Sequence, residues 1–179
     1  NSGWNGGGGG LYGGNGATIL DCTIVSNRCT GNANGAGLML SAGATSKIDV
    51  NRCLFEANTT LGDGGGLELR EGTSANWKIR NCRFLRNSAR RGGGIDMSNN
   101  TSYPGVVNCL IAENTASLNG GGISGYWVQA LNCTITRNTA PSYGGISLIG
   151  GATAISATNS ILYHNSPDTS AAPSASSSS

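Results

Sequence analysis

Gly92-Gly93-Gly94-Ile95, followed after a short interval by Asn108-Cys109-Leu110-Ile111-Ala112-Glu113-Asn114-Thr115-Ala116, is the stretch on which the fold turns. The same unit recurs along nearly the whole chain, and a repeat has to be read before any single residue. Aligned on the cysteine, its second half reads Asp21-Cys22-Thr23-Ile24, Arg52-Cys53-Leu54-Phe55, Asn81-Cys82-Arg83-Phe84, Asn108-Cys109-Leu110-Ile111 and Asn132-Cys133-Thr134-Ile135. Another copy, Asn159-Ser160-Ile161-Leu162, carries a hydroxyl in place of the thiol. Five residues after each of these positions stands an asparagine: Asn27, Asn58, Asn87, Asn114, Asn138 and Asn165. The first half repeats as Gly35-Ala36-Gly37-Leu38, Gly65-Gly66-Leu67, Gly93-Gly94-Ile95, Gly121-Gly122-Ile123 and Gly144-Gly145-Ile146. The cysteine spacings are 31, 29, 27 and 24, then 27 to Ser160, so fixed elements alternate with elastic turns.

Each unit holds three short runs of alternating apolar residues, in one case Leu67-Glu68-Leu69, Trp77-Lys78-Ile79 and Cys82-Arg83-Phe84. Period-two alternation marks strands with one face buried. Glycines and asparagines punctuate them where corners need positive φ. Units in like register stack like on like, which predicts a parallel β-helix of about six coils with layers ~4.8 Å apart. The coils span residues 11–166, between a Gly-rich N-terminal arm at 1–10 and a Ser/Pro/Ala-rich tail or linker at 167–179, open to O-glycosylation. Ile19, Val50, Ile79, Val106, Ala130 and Ala157 form one expected inward column, and Ile24, Phe55, Phe84, Ile111, Ile135 and Leu162 a second. Cys22, Cys53, Cys82, Cys109 and Cys133 point the same way as a column of small buried residues. The six asparagines form a ladder at a corner, each amide bonded to its neighbours above and below.

Composition narrows the class. The chain has 179 residues, enough for one domain. Only 11% are charged and 30 are glycine, which speaks against a helical solenoid. A net charge of +2, with basic residues scattered except between Arg80 and Arg91, gives no case for nucleic acid, and that cluster reads as a solvated face. No stretch approaches the roughly 20 apolar residues of a membrane span. A start at Asn1 rather than Met points to a mature or trimmed piece of a longer precursor.

Gly-Gly-(Ala/Gly)-Ile followed at a distance by Phe-x-x-Asn resembles the repeat of the polymorphic outer-membrane proteins and related bacterial surface proteins. Here it reads Gly93-Gly94-Ile95 with Ile111-Ala112-Glu113-Asn114, and Gly65-Gly66-Leu67 with Phe84-Leu85-Arg86-Asn87. The resemblance covers roughly residues 8 to 166 and implies a right-handed parallel β-helix of the pectate-lyase-like kind. The cysteine column and the lack of a C-terminal membrane barrel depart from that pattern.

β-Helices of that kind host enzymes acting on acidic polysaccharides, which need carboxylates and a basic residue clustered on one outer face. Glu68 and Asp96 each follow the glycine motif by the same interval in successive coils, so they are expected side by side and outward, with Arg70 and Glu71 close by. Outward strand positions carry charge anyway, and Met39, Ser124 and Ser147 fill the same column elsewhere. His164 is the single histidine, and the cysteine intervals match no zinc pattern, so neither metal nor cofactor is expected. Cys29 is left open between a disulfide with a column cysteine and a free buried thiol. Trp4 is a candidate inter-subunit contact, and Asn99 or Asn100 a candidate glycosylation site.

The expectation that follows is a non-enzymatic extracellular or cell-surface structural protein: a filament subunit or adhesin stalk. It would self-associate head to tail through its solenoid ends, where strand edges lie unpaired. The alternative is a protein that binds or cleaves polysaccharide on the face around Glu68 and Asp96. An ice-binding face is disfavoured, because the outward columns mix Lys78, Gln129, Asp49 and Ser156.

Overall fold

At two positions of the repeat a residue other than glycine adopts a left-handed backbone in all six layers, and these corners set the path of the chain. The residue before the cysteine position (Asp21, Arg52, Asn81, Asn108, Asn132, Asn159) has φ between 47° and 56°. The residue before the ladder asparagine (Ser26, Ala57, Arg86, Glu113, Arg137, His164) has φ between 53° and 60°. The expectation that glycine and asparagine fill such corners fails for the second column, which contains neither. Each left-handed non-glycine costs roughly 1–2 kcal/mol. Interlayer hydrogen bonds offset that cost, for example Ser26 N–H to Glu56 O at 2.9 Å and Ala57 N–H to Leu85 O at 3.0 Å.

The computed structural model describes residues 9–41, 47–70, 77–99, 105–149 and 154–167, with 98 and 99 described through their backbone only. Between the corners run three faces. The first stacks β1 (Leu11–Gly13), β4 (Leu38–Ser41), β7 (Leu67–Arg70), β11 (Ile95–Asn99), β15 (Ile123–Gly125) and β18 (Ile146–Leu148). The second stacks β2 (Thr18–Leu20), β5 (Ile48–Asn51), β8 (Trp77–Arg80), β12 (Gly105–Val107), β16 (Trp127–Leu131) and β19 (Ala154–Thr158). The third stacks β3 (Thr23–Val25), β6 (Leu54–Glu56), β9 (Arg83–Leu85), β13 (Leu110–Ala112), β17 (Thr134–Thr136) and β20 (Ile161–Tyr163). Every pairing is parallel and sets like on like, as in Leu38↔Leu67, Val50↔Ile79 and Phe55↔Phe84. The architecture is an all-β parallel solenoid with three strands per coil. Its six layers are joined by five steps, so the chain makes about five turns, slightly fewer than the coil count read from the repeats.

A fourth, thinner ladder escapes the sequence reading. It runs one residue beyond the asparagines through Arg28, Thr59, Ser88, Thr115, Thr139 and Ser166, and broadens into a pair of strands, β10 (Ser88–Arg91) and β14 (Thr115–Asn119). Gly9 and Gly10, assigned on sequence to the N-terminal arm, already bond to the second layer through Gly35 O and Ala36 O. The rest of that arm and the tail from residue 168 lie outside the described residues.

The interior is a continuous apolar cluster of buried side chains. The Phe55 and Phe84 rings stack 4.7 Å apart at an interplanar angle of 2°, matching the strand spacing. Leu38, Leu67, Ile95, Val50, Ile79 and Ile111 are fully buried around them. The glycine motif is explained by crowding at the corner that enters the first face. Gly92 has φ +56, and a Cβ on Gly94 would stand 2.7 Å from Gly122 O of the next layer. Only glycine lets the backbones stack there.

Candidate functional site

The asparagines form one continuous polar chain. Asn87 Oδ1 accepts both the backbone N–H (3.0 Å) and the Nδ2–H (2.9 Å) of Asn58. Asn87 Nδ2 in turn donates to Asn114 Oδ1 and to the Phe55 carbonyl, both at 3.0 Å. Both lone pairs and both N–H groups of that amide are thereby used in a position 1% exposed, which is what burial of an amide demands. The same set recurs at Asn58, Asn114 and Asn138, while Asn27 and Asn165 stand at the ladder's ends.

The cysteines make a parallel column of free thiols. Each buried member holds its single S–H between a carbonyl two residues back and one in the preceding layer, as Cys53 Sγ lies 3.3 Å from Asn51 O and 3.5 Å from Ile19 O. Burial pushes the Cys53 thiol up to about 11. Cys109 is raised well beyond the ordinary range by side-chain hydrogen bonding with Cys133 and Cys82 on either side of it and by burial. Cys29 is a free, buried thiol, raised by the same loss of solvent. Among the described residues no group of three His, Cys, Asp or Glu side chains could hold a metal ion.

Glu68 and Asp96 are register partners on β7 and β11, in a column continued by Met39, Ser124 and Ser147. They do not stand exposed on an outer face. Both are completely buried, because the return segments through Asp63–Gly64 and Arg91–Gly92 fold back over that side of the first face. A Cβ on Gly64 would meet Glu68 Cβ at 2.7 Å, which shows how close the cover lies. With zero exposure, neither carboxylate can touch a polymer.

What does reach solvent is an arginine cleft beside them, with a volume of about 310 Å³ and lined by Asn32, Asn34, Asp63, Arg70, Arg90 and Arg91. Asp63 is 3% exposed and sits between two guanidinium groups. Arg90 grips it with two bonds, at 3.1 and 2.9 Å, and Arg91 reaches it at 2.7 Å. Asp63 holds the Arg91 guanidinium above its usual value. Arg70 pairs with Glu68 Oε1 at 3.3 Å, and Asn34 Nδ2 donates to the same oxygen at 3.1 Å. The cleft therefore offers guanidinium and amide donors to an anionic or hydroxylated ligand, with the carboxylates behind them.

Sequence reasoning treated Arg80 to Arg91 as a solvated face and overlooked Asp63. The signal was there: Asp63 precedes Arg90 by 27 residues and Arg91 by 28, one coil in this chain. A separation of one coil, here 27 to 31 residues, likewise places Arg52 on Asp21, Arg80 on Asp49, and Arg86 between Glu56 and Glu113. Trp4, Glu71 and Asn100 lie outside the described residues. Asn99 closes β11, with its side chain likewise outside the description.

No helix among the described residues is long and apolar enough to cross a membrane. Comparison with curated proteins and with solved structures finds no match. The profile of the right handed beta helix region matches residues 1–116, and the structure carries the same stacking on to residue 167. Members of that family are often surface or extracellular proteins, and its fold suits surface and polysaccharide-related repeat proteins in general. The chain belongs to the right-handed β-helix family.

Proposed function

We propose that the chain is a non-enzymatic structural β-helix of an extracellular or cell-surface assembly, a filament subunit or adhesin stalk that self-associates through the ends of its solenoid. One observation carries this reading. Leu162, in a column whose members from Phe55 to Ile135 are fully buried, is 41% exposed, and its neighbours Ile161 and Tyr163 are exposed with it. Leu11, whose column partners Leu38, Leu67 and Ile95 are fully buried, is exposed in the same way in the first layer. Interior residues brought to the surface at a strand edge are a template for another sheet. Sedimentation velocity over a wide concentration range tests it: mass should rise with concentration, and Leu162→Arg should hold the protein monomeric. A chain that stays monomeric at high concentration overturns the reading.

The arginine cleft supports a second reading, a binding site for acidic polysaccharide. Binding to a panel of such polymers, lost in Arg70→Ala and Arg90→Ala and kept in Glu68→Gln, would favour it. No binding in the unaltered chain would dismiss it.

A further inference from the structure

The two ends of the asparagine ladder differ in chemistry. At each of its five steps the backbone N–H and Nδ2–H of one asparagine point to the Oδ1 of the asparagine in the next layer, and never the reverse. The series therefore leaves unlike remainders. In the first layer, no donor among the described residues reaches Asn27 Oδ1, the atom that in every later layer accepts two bonds. In the last layer, the Asn165 backbone N–H and one Nδ2–H meet no acceptor among the described residues, the other Nδ2–H being held by Ile135 O at 2.9 Å. One end presents an acceptor and the other a pair of donors.

We infer that the partner at each end is a second copy of this chain in one polarity only. Asn165 of one copy donates twice to Asn27 Oδ1 of the next, and the ladder continues across the junction. This rests on the assembly reading above and adds its direction and register. Joining like ends would set acceptor against acceptor, or donors against donors, and leave them desolvated without partners, at a cost of roughly 1–3 kcal/mol for each. The apolar columns agree with that register: Leu162 meets Ile24, Ala157 meets Ile19 and Ile146 meets Leu11, the like-on-like step used in every internal layer. The thiol column agrees as well. Ser160 Oγ accepts the Cys133 N–H at 3.0 Å, as Cys109 Sγ accepts that of Cys82, and Cys22 of the next copy follows Ser160 in the same row. A contact of this kind is heterologous and does not close on itself, so it builds an open, polar filament.

Two variants, each blocked at one end, test the polarity. Leu11→Arg and Leu162→Arg place a charge on the first and last layers at positions 39% and 41% exposed, where the fold tolerates it, as far-ultraviolet circular dichroism would verify. Each variant alone should sediment as a monomer, and an equimolar mixture should form a heterodimer and stop there. Dimers of either variant alone would overturn the inference in favour of a contact between like ends. A monomeric mixture beside an associating unaltered chain would also overturn it. A monomeric unaltered chain would instead overturn the assembly reading itself, since a segment of the same chain would then cover the ends. Asn165→Asp, which turns the donors of the last side chain into acceptors, should weaken association at least tenfold; unchanged association would remove the ladder from the junction.

Discussion

Phe84 and Leu162 hold the same position of the repeat, as do Asn87 and Asn165, yet the central and last layers treat them differently. Phe84 is fully buried and stacked on Phe55, whereas Leu162 is 41% exposed. Asn87 has layers on both sides and uses every polar atom of its amide. Asn165 has a layer on one side only. In a solenoid the value of a residue is set by the layer it occupies as much as by its type, because each layer contacts only its neighbours. A stacked fold is therefore stiff in the middle and reactive at its ends.

Substitutions at matched positions would break or sharpen that contrast. The largest effect is expected at Asn87→Ala, which strips partners from the Asn58 N–H and amide, the Phe55 carbonyl and Asn114 Oδ1; we expect a loss of about 4 kcal/mol in urea denaturation. Asn165→Ala strips partners from the Asn138 N–H and amide and from the Ile135 carbonyl but has no asparagine beyond it to disturb, and should cost less, about 2–3 kcal/mol. Equal losses at the two sites would refute the layer dependence. Phe84→Ala should cost about 3–5 kcal/mol, and Leu162→Ala less than about 1 kcal/mol. Gly94→Ala, which drives a methyl group against Gly122 O, should cost about 1–3 kcal/mol. Gly14→Ala, whose nearest atom would be Ser41 O at 3.6 Å, should be almost silent.

The thiol column adds a pH dependence. Cys53 ionises near 11 in the fold and near the ordinary 9 when exposed, so the unfolded chain gives up this proton first as pH rises. Its contribution to stability is fully present below pH 9 and is lost between pH 9 and about 11. Cys53→Ala should flatten the denaturation midpoint across that window, and an unchanged slope would show that the thiol is not protected. Ala57→Gly should move stability in the opposite direction. Removing a Cβ at φ 54 relieves strain that glycine's extra unfolded entropy partly cancels, for a net gain of at most about 1 kcal/mol.

The repeat made the stacking legible. A fixed offset from cysteine to asparagine placed both columns and the three faces, because like register in a parallel sheet leaves one arrangement for them. The cover over Glu68 and Asp96 was hidden. Strand alternation says which side of a sheet a residue takes, but not what the chain lays over that side afterwards. β10 carries Ser88-Ala89-Arg90-Arg91, a polar run without the alternation that announces a strand, and its pairing with β14 comes from the layer geometry. The left-handed corners at Ala57, Arg86 and Glu113 were hidden for a related reason. Interlayer hydrogen bonds hold them, so local residue preference gives no sign.

The most direct test is electron microscopy of the purified protein at concentrations where sedimentation shows association. The account predicts unbranched filaments in which each subunit advances the axis by about 29 Å, six layers of ~4.8 Å, with every subunit pointing the same way. Dispersed particles, or pairs related by a two-fold axis, would contradict it.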